Sequence, residues 1–204
     1  MLWLIGIGLL GSIAGVVISY RRAHAEAPAT PIGSAAEGVP IRVRGCVTAP
    51  KAVVAPCSDR RCSYFRVELR VWSGGGIETR VATREVDFSI DDGTGTAFVI
   101  AETARFELVA DIFATDRASR LPDRALRVLR ELGWKLPEIA RVELREAVLE
   151  LGQTIDVEGT ATREPEPTPS AGERGYRENR SRLVFSSDHV VRERMREPRF
   201  IGTP

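Results

Sequence analysis

Apolar and polar residues alternate most regularly in YFRVELRVW, where Phe65, Val67, Leu69 and Val71 interleave with Tyr64, Arg66, Glu68, Arg70 and Trp72. A period of two predicts a strand with one face in a core and the other in water. IRVRGCV (41–47) alternates in the same way, REVDFSI puts Val86, Phe88 and Ile90 on one face, and TAFVI, TIDVEGT and SRLVFSS predict further short strands. VELREAVLELG (142–152) mixes helix formers with a strand-length run before a glycine and is read as a strand. The period becomes helical in LPDRALRVLRELGW, where Leu121, Ala125, Val128, Leu129 and Leu132 recur at helical spacing, Pro122 suits the first turn and Gly133 the stop. DHVVRERMRE, closed by Pro198, predicts a short capped helix.

The chain starts differently. MLWLIGIGLLGSIAGVVISY is an unbroken apolar run of about twenty residues, the length of a helix that crosses a membrane. No charged side chain precedes it, whereas a cleaved signal carries its positive charge first; AHA at 23–25 nevertheless has the form of a cleavage site. Arg21 and Arg22 follow, and positive flanks stay cytoplasmic. The expectation is a single-pass membrane protein that contacts the bilayer through residues 2–20 and keeps its main domain in the cytoplasm, the extracytoplasmic side being the alternative. Residues 1–20 are then an anchor and 21–39 a linker, since EAPATPIGSAAEG has few side chains to pack. A β domain spans 40–187, with a proline-rich, charged excursion at 163–181, and a short helix and tail occupy 188–204.

Charge narrows the function classes. The 204 residues carry 29 Lys and Arg against 28 Asp and Glu, interspersed, so no basic groove for nucleic acid is visible. Cys46, Cys57 and Cys62 are an odd set without a repeated spacing, and His24 and His189 lie far from them, so neither a disulfide framework nor a structural zinc is expected, and no cofactor motif occurs. Asp91 and Asp92 beside glycines lack the alternating oxygen ligands of a calcium loop and the following helix of a phosphate cradle, and read as a hairpin turn. Cys62 follows two arginines, which makes it a candidate reactive thiol, set against the plainer reading of a small residue entering a strand. Cys57 and Cys62 would pair only if the domain faced an oxidising compartment. The candidate binding residues are those of the wet strand face, Tyr64, Arg66, Arg70 and Trp72, able to stack bases and neutralise phosphates. Glu68 among them and the balanced charge favour a protein or lipid-headgroup contact instead, or a solvated face covered by the inserted helix.

The order of motifs is also informative: Val43-Arg44-Gly45, Pro56-Cys57, a C-x-Y-F-R-V strand from Cys62, Asp91 to Gly95, and LELGQTIDVEGT from Leu149. It resembles the GIDE domain, also called the BAM (beside a membrane) domain, of bacterial membrane proteins and mitochondrial membrane-anchored ubiquitin ligases. The matching residues are Val43, Gly45, Ser58, Cys62, Tyr64, Arg66, Asp91 to Gly95 and Gly152 to Gly159, with Leu183 to Ser187 resembling the closing strand. The glycine motifs also resemble an OB-fold core. The implied fold is mainly β with a helical insertion, an OB-like small β-barrel preceded by one transmembrane helix. The ligases of that family act through a carboxy-terminal RING of eight Cys and His ligands, and no cysteine follows Cys62. The resemblance therefore implies a membrane-anchored, non-catalytic binding or scaffold module with a protein partner. A ubiquitin-ligase-like role in protein modification and single-stranded nucleic-acid binding are the alternatives.

Overall fold

The computed structural model describes residues 28–73, 75–165, 181–193 and 196–201. Strands β1 (Pro40–Thr48), β2 (Val53–Val54), β3 (Arg61–Ser73), β4 (Gly76–Glu85), β5 (Phe88–Asp91), β6 (Thr96–Val99), β7 (Ala104–Glu107) and β8 (Asp111–Arg117) precede helix α1 (Asp123–Glu131). After it come β9 (Arg141–Glu150), β10 (Thr154–Thr160), β11 (Thr162–Pro165), β12 (Ser181–Phe185) and β13 (His189–Arg192). Two sheets result. One runs β11-β12-β6-β5-β1-β10-β13-β7, and the other β2-β3-β9-β8 with β4 along β3.

The mainly β expectation holds, while the transmembrane helix of the expected fold is corrected. Among the described residues no helix is long and apolar enough to cross a membrane; α1 has 9 residues, against the roughly twenty a span needs. That runs against the expected transmembrane helix and single-pass membrane localisation with a cytoplasmic domain; residues 1–20, on which that expectation fell, lie outside the described residues. The strands form two sheets with separate cores, and α1 is inserted between β8 and β9 of the smaller one. The long strands β3 and β9 form their own sheet, whose apolar face packs Phe65, Val67, Leu69, Val142 and Leu144 against Ala125, Val128 and Leu129 of α1. The second core lies on the larger sheet, around Val43, Phe88, Ile90, Val157, Leu183 and Phe185. A bulge in β3 between Cys62 and Tyr64 joins the two, because it turns Cys62 into the first core and Tyr64 into the second.

Residues 188–197, expected as a helix, instead give β13, antiparallel to β10 and parallel to β7. His189 and Val191 are buried while Val190 and Arg192 are half-buried, a period of two, and the β-branched pair suits the slot between two open strand edges. The expected linker also packs in part. Ile32 and Ala35 are 1% and 2% exposed, the Ile32 N–H donates to Asp92 Oδ2 at 2.8 Å, and the Gly38 N–H donates to the Ala161 carbonyl at 2.9 Å. Few apolar side chains suffice because backbone hydrogen bonds tie the segment down. Arg163, expected in a flexible excursion, belongs to β11 and donates to the carbonyl of Ala35 at 3.0 Å; residues 166–180 of that excursion lie outside the described residues.

The DDGTG stretch forms the expected turn between β5 and β6, with Asp91 opposite Thr96 and Gly93 at φ +83°. Asp92 accepts from the N–H groups of Thr94 and Gly95 at 2.8 and 3.1 Å as well as from Ile32. The turn therefore docks the 30–38 segment. Burial works to raise the Asp92 pKa, and these donors outweigh it and hold the carboxylate below its usual range.

Asp156 of β10 carries a similar load. It accepts from Arg42 at 2.6 Å and from Arg44 at 2.7 and 3.0 Å, both on β1. Burial again opposes ionisation, and the two guanidiniums overcome it, leaving the pKa lowered. A lowered folded value means that the contribution to stability is complete above the unfolded pKa of about 3.9 and is lost as pH falls through the folded value. Asp156→Asn is expected to lower stability at neutral pH and to flatten the loss of stability below about pH 4, read by denaturant titrations at several pH values. An unchanged acid limb would contradict this.

Candidate protein-binding cleft

The polar face of the smaller sheet is set by the register of its strands. Trp72 lies opposite Ile77 on β4 and Arg141 on β9, and Arg141 lies opposite Arg117 on β8. Directly opposed residues share a face, so Ile77, Trp72, Arg141 and Arg117 form one row across four strands. The next rows place Arg70 opposite Glu143, Glu68 opposite Arg145, and Arg66 opposite Ala147.

Those next rows are internally neutralised. Glu68 accepts from Arg66 at 2.8 Å and from Arg70 at 2.7 Å, and Glu143 accepts from Arg145 at 2.6 Å. Tyr64, expected on the wet face, is 7% exposed and stacks on Phe106 of β7 with ring centroids 3.9 Å apart and planes 12° from parallel. Packing against the second core claims its ring. The hollow left between Tyr64, Arg66, Glu68 and Phe106 has a volume of about 40 Å³, too small for a nucleobase. Of the four candidate residues, Tyr64 is thus structural, Arg66 and Arg70 are engaged by Glu68, and Trp72 alone borders an open cleft.

That cleft, of about 940 Å³, is lined by Trp72, Thr115, Asp116, Arg117, Pro137, Ile139, Ala140 and Arg141. Its far wall is the connection between α1 and β9. The Ala118 N–H donates to the Ala140 carbonyl at 2.8 Å, Ser119 to Glu138 at 3.1 Å, and Ala140 to Pro137 at 3.0 Å. These bonds hold Ile139 outwards at 89% exposure. Arg117 and Arg141 make no ion pair among the described residues, while the Asp116 carboxylate accepts the Arg117 N–H at 2.6 Å. The floor is therefore cationic and the rim apolar, an arrangement suited to an anion next to an apolar group. The lining carries neither cysteine nor histidine.

No family model, curated protein or solved structure matches this chain.

The candidate nucleophile fares differently from its sequence reading. Cys62 is fully buried, with its thiol 3.6 Å from the Val53 carbonyl. Burial, then the nearby Glu146 carboxylate, push its pKa up to about 11, against the weaker pull of Arg60. The arginines that suggested activation are outweighed, because the bulge turns Cys62 inwards. Cys57 is also buried, raised by the same two effects. Cys46, Cys57 and Cys62 are all free thiols. His189 is 1% exposed beside Phe185, and burial lowers its pKa. Among the described residues no group of three or more His, Cys, Asp or Glu is arranged to hold a metal ion.

Sequence reasoning missed Arg117, Arg141 and Ile139, which only the pairing of β8 with β9 brings to Trp72. It also missed Glu146, a fully buried carboxylate in the first core. Its Oε1 accepts the Cys57 N–H at 2.7 Å and its Oε2 lies 3.9 Å from the Arg60 guanidinium. A signal was present: Glu146 continues the apolar register of Val142 and Leu144 and precedes Val148.

Proposed function

We propose that this chain is a non-catalytic protein-binding module that takes an extended segment of a partner, an acidic side chain on Arg117 and Arg141 and a large apolar one against Trp72 and Ile139. The observation that carries the reading is the pair of guanidiniums without carboxylate partners among the described residues, set in a cleft rimmed by Trp72 and Ile139. Tryptophan and arginine are the side chains most enriched where binding energy concentrates, and the cleft volume lies within the range of sites that enclose a ligand. A scaffold role of the GIDE type agrees with this reading through the motif order alone: Val43 and Gly45 of the early motif pair with Val157 and Ile155 of the late one.

The test is an array of extended peptides probed with the full chain, followed by titration calorimetry. Peptides with Asp or Glu beside an aromatic or branched residue are expected to bind. Trp72→Ala and Arg141→Ala are each expected to weaken that binding tenfold or more, about 1.4 kcal/mol. Equal binding by these variants, or equal binding of basic peptides, would remove the reading.

A further inference from the structure

The free edge of β4 lies on the side of β3 away from β9 and the cleft. Among the described residues β4 pairs, over its ten residues, with β3 alone. The Val86 N–H donates to the Ser63 carbonyl at 2.8 Å, in register with the β3–β4 ladder, and fixes which residues bond inwards. By alternation Arg84, Ala82, Arg80 and Glu78 bond to β3, while Ile77, Thr79, Val81, Thr83 and Glu85 turn their N–H and C=O groups outwards. Four of these five are β-branched, and Ile77 and Val81 are 63% and 48% exposed. The strand has neither proline nor a bulge, and its charged side chains, Glu78, Arg80, Arg84 and Glu85, are of both signs rather than one.

We propose that β4 pairs antiparallel with β4 of a second copy about a two-fold axis at Val81, joining the smaller sheets of two chains into one. Charge selects both the partner and the register. With Val81 on the axis, Thr79 faces Thr83, Arg80 faces Ala82, and Glu78 faces Arg84, the last pair occurring twice by symmetry. Moving the axis one residue either way sets Arg80 against Arg80 or against Arg84, and like charges directly opposite destabilise a strand pair. Arg84 is exposed and makes no ion pair among the described residues. Glu78 is bound on one oxygen by Arg80 at 2.7 Å, with the other oxygen open to a second guanidinium. The edge is thus complementary to itself, and a two-fold interface requires that property.

The test is sedimentation equilibrium of the full chain over a hundredfold range of concentration. A monomer–dimer equilibrium is expected. Glu78→Arg and Arg84→Glu are each expected to weaken it at least tenfold, since each sets like charges opposite one another. The double variant Glu78→Arg with Arg84→Glu restores the opposite-charge pairs and is expected to return the dimer to within threefold of the parent. Circular dichroism is expected to show each variant folded, as both side chains are exposed. A monomer throughout, a dimer indifferent to the single reversals, or one not rescued by the double variant would overturn the proposal. A foreign strand captured by the edge while the chain stays monomeric would overturn it equally.

Discussion

Glu146→Ala is expected to lower the unfolding free energy by about 3 kcal/mol. The carboxylate is fully buried in the apolar core of the smaller sheet. It is held there by the Cys57 N–H at 2.7 Å and by the Arg60 guanidinium at 3.9 Å. Alanine leaves the N–H of the 55–60 loop without an acceptor, removes a counter-charge from Arg60 and opens a void between β9 and that loop. Arg60 keeps Glu150 as a partner, which places the loss at the lower end for a broken buried ion pair. Glu146→Gln retains an acceptor for Cys57 and nearly the same volume, so it is expected to recover a large share of the loss. Glu146→Leu fills the space and still orphans the N–H, and should fall between the two. Denaturant unfolding of the three variants reads these differences, and a cost below about 1 kcal/mol for alanine would show that water or a shift of the loop satisfies the N–H instead.

The same residue shows how far the sequence carries. Period two is legible along β3 and β9 because long strands with one buried face write their geometry into the alternation, and Glu146 stands in that pattern as an acid on the apolar side. The bulge is only faintly marked. Polar Ser63 falls on the apolar parity of Phe65 and Val67, and there the register shift turns Cys62 and Tyr64 to different cores. That one irregularity made a buried thiol look activated and a structural tyrosine look exposed. The helix expected at 188–197 fails for another reason. His189 to Arg192 are locally neutral between helix and strand, and the decision lies with β10 and β7, whose edges they pair. Trp72 was found because its own strand announces it. The arginines of the cleft were not, because Arg117 and Arg141 acquire their meaning only from the pairing of β8 and β9.

The glycines of Val43-Arg44-Gly45 and Val157-Glu158-Gly159 stand where another backbone or side chain comes close. A Cβ on Gly159 would lie 2.7 Å from the Cβ of His189. A Cβ on Gly45 would lie 2.9 Å from the Asp91 carbonyl oxygen, 3.0 Å from its nitrogen and 3.1 Å from its carbon. All three neighbours of Gly45 are backbone, in a strand that β1 itself pairs, and β1 is held on its other side by β10. Neither strand has room to move apart without breaking a ladder. Gly45→Val is therefore expected to cost about 3 kcal/mol, the upper part of the range for overpacking a core, and Gly45→Ala somewhat less. Gly75 has open space around it and no positive φ, so Gly75→Ala is expected to stay within about 0.5 kcal/mol of the parent. Thermal unfolding of the three variants separates close approach from conformational freedom: if Gly45→Val melts with the parent, β1 and β5 are not packed at the distance that the motif glycine permits.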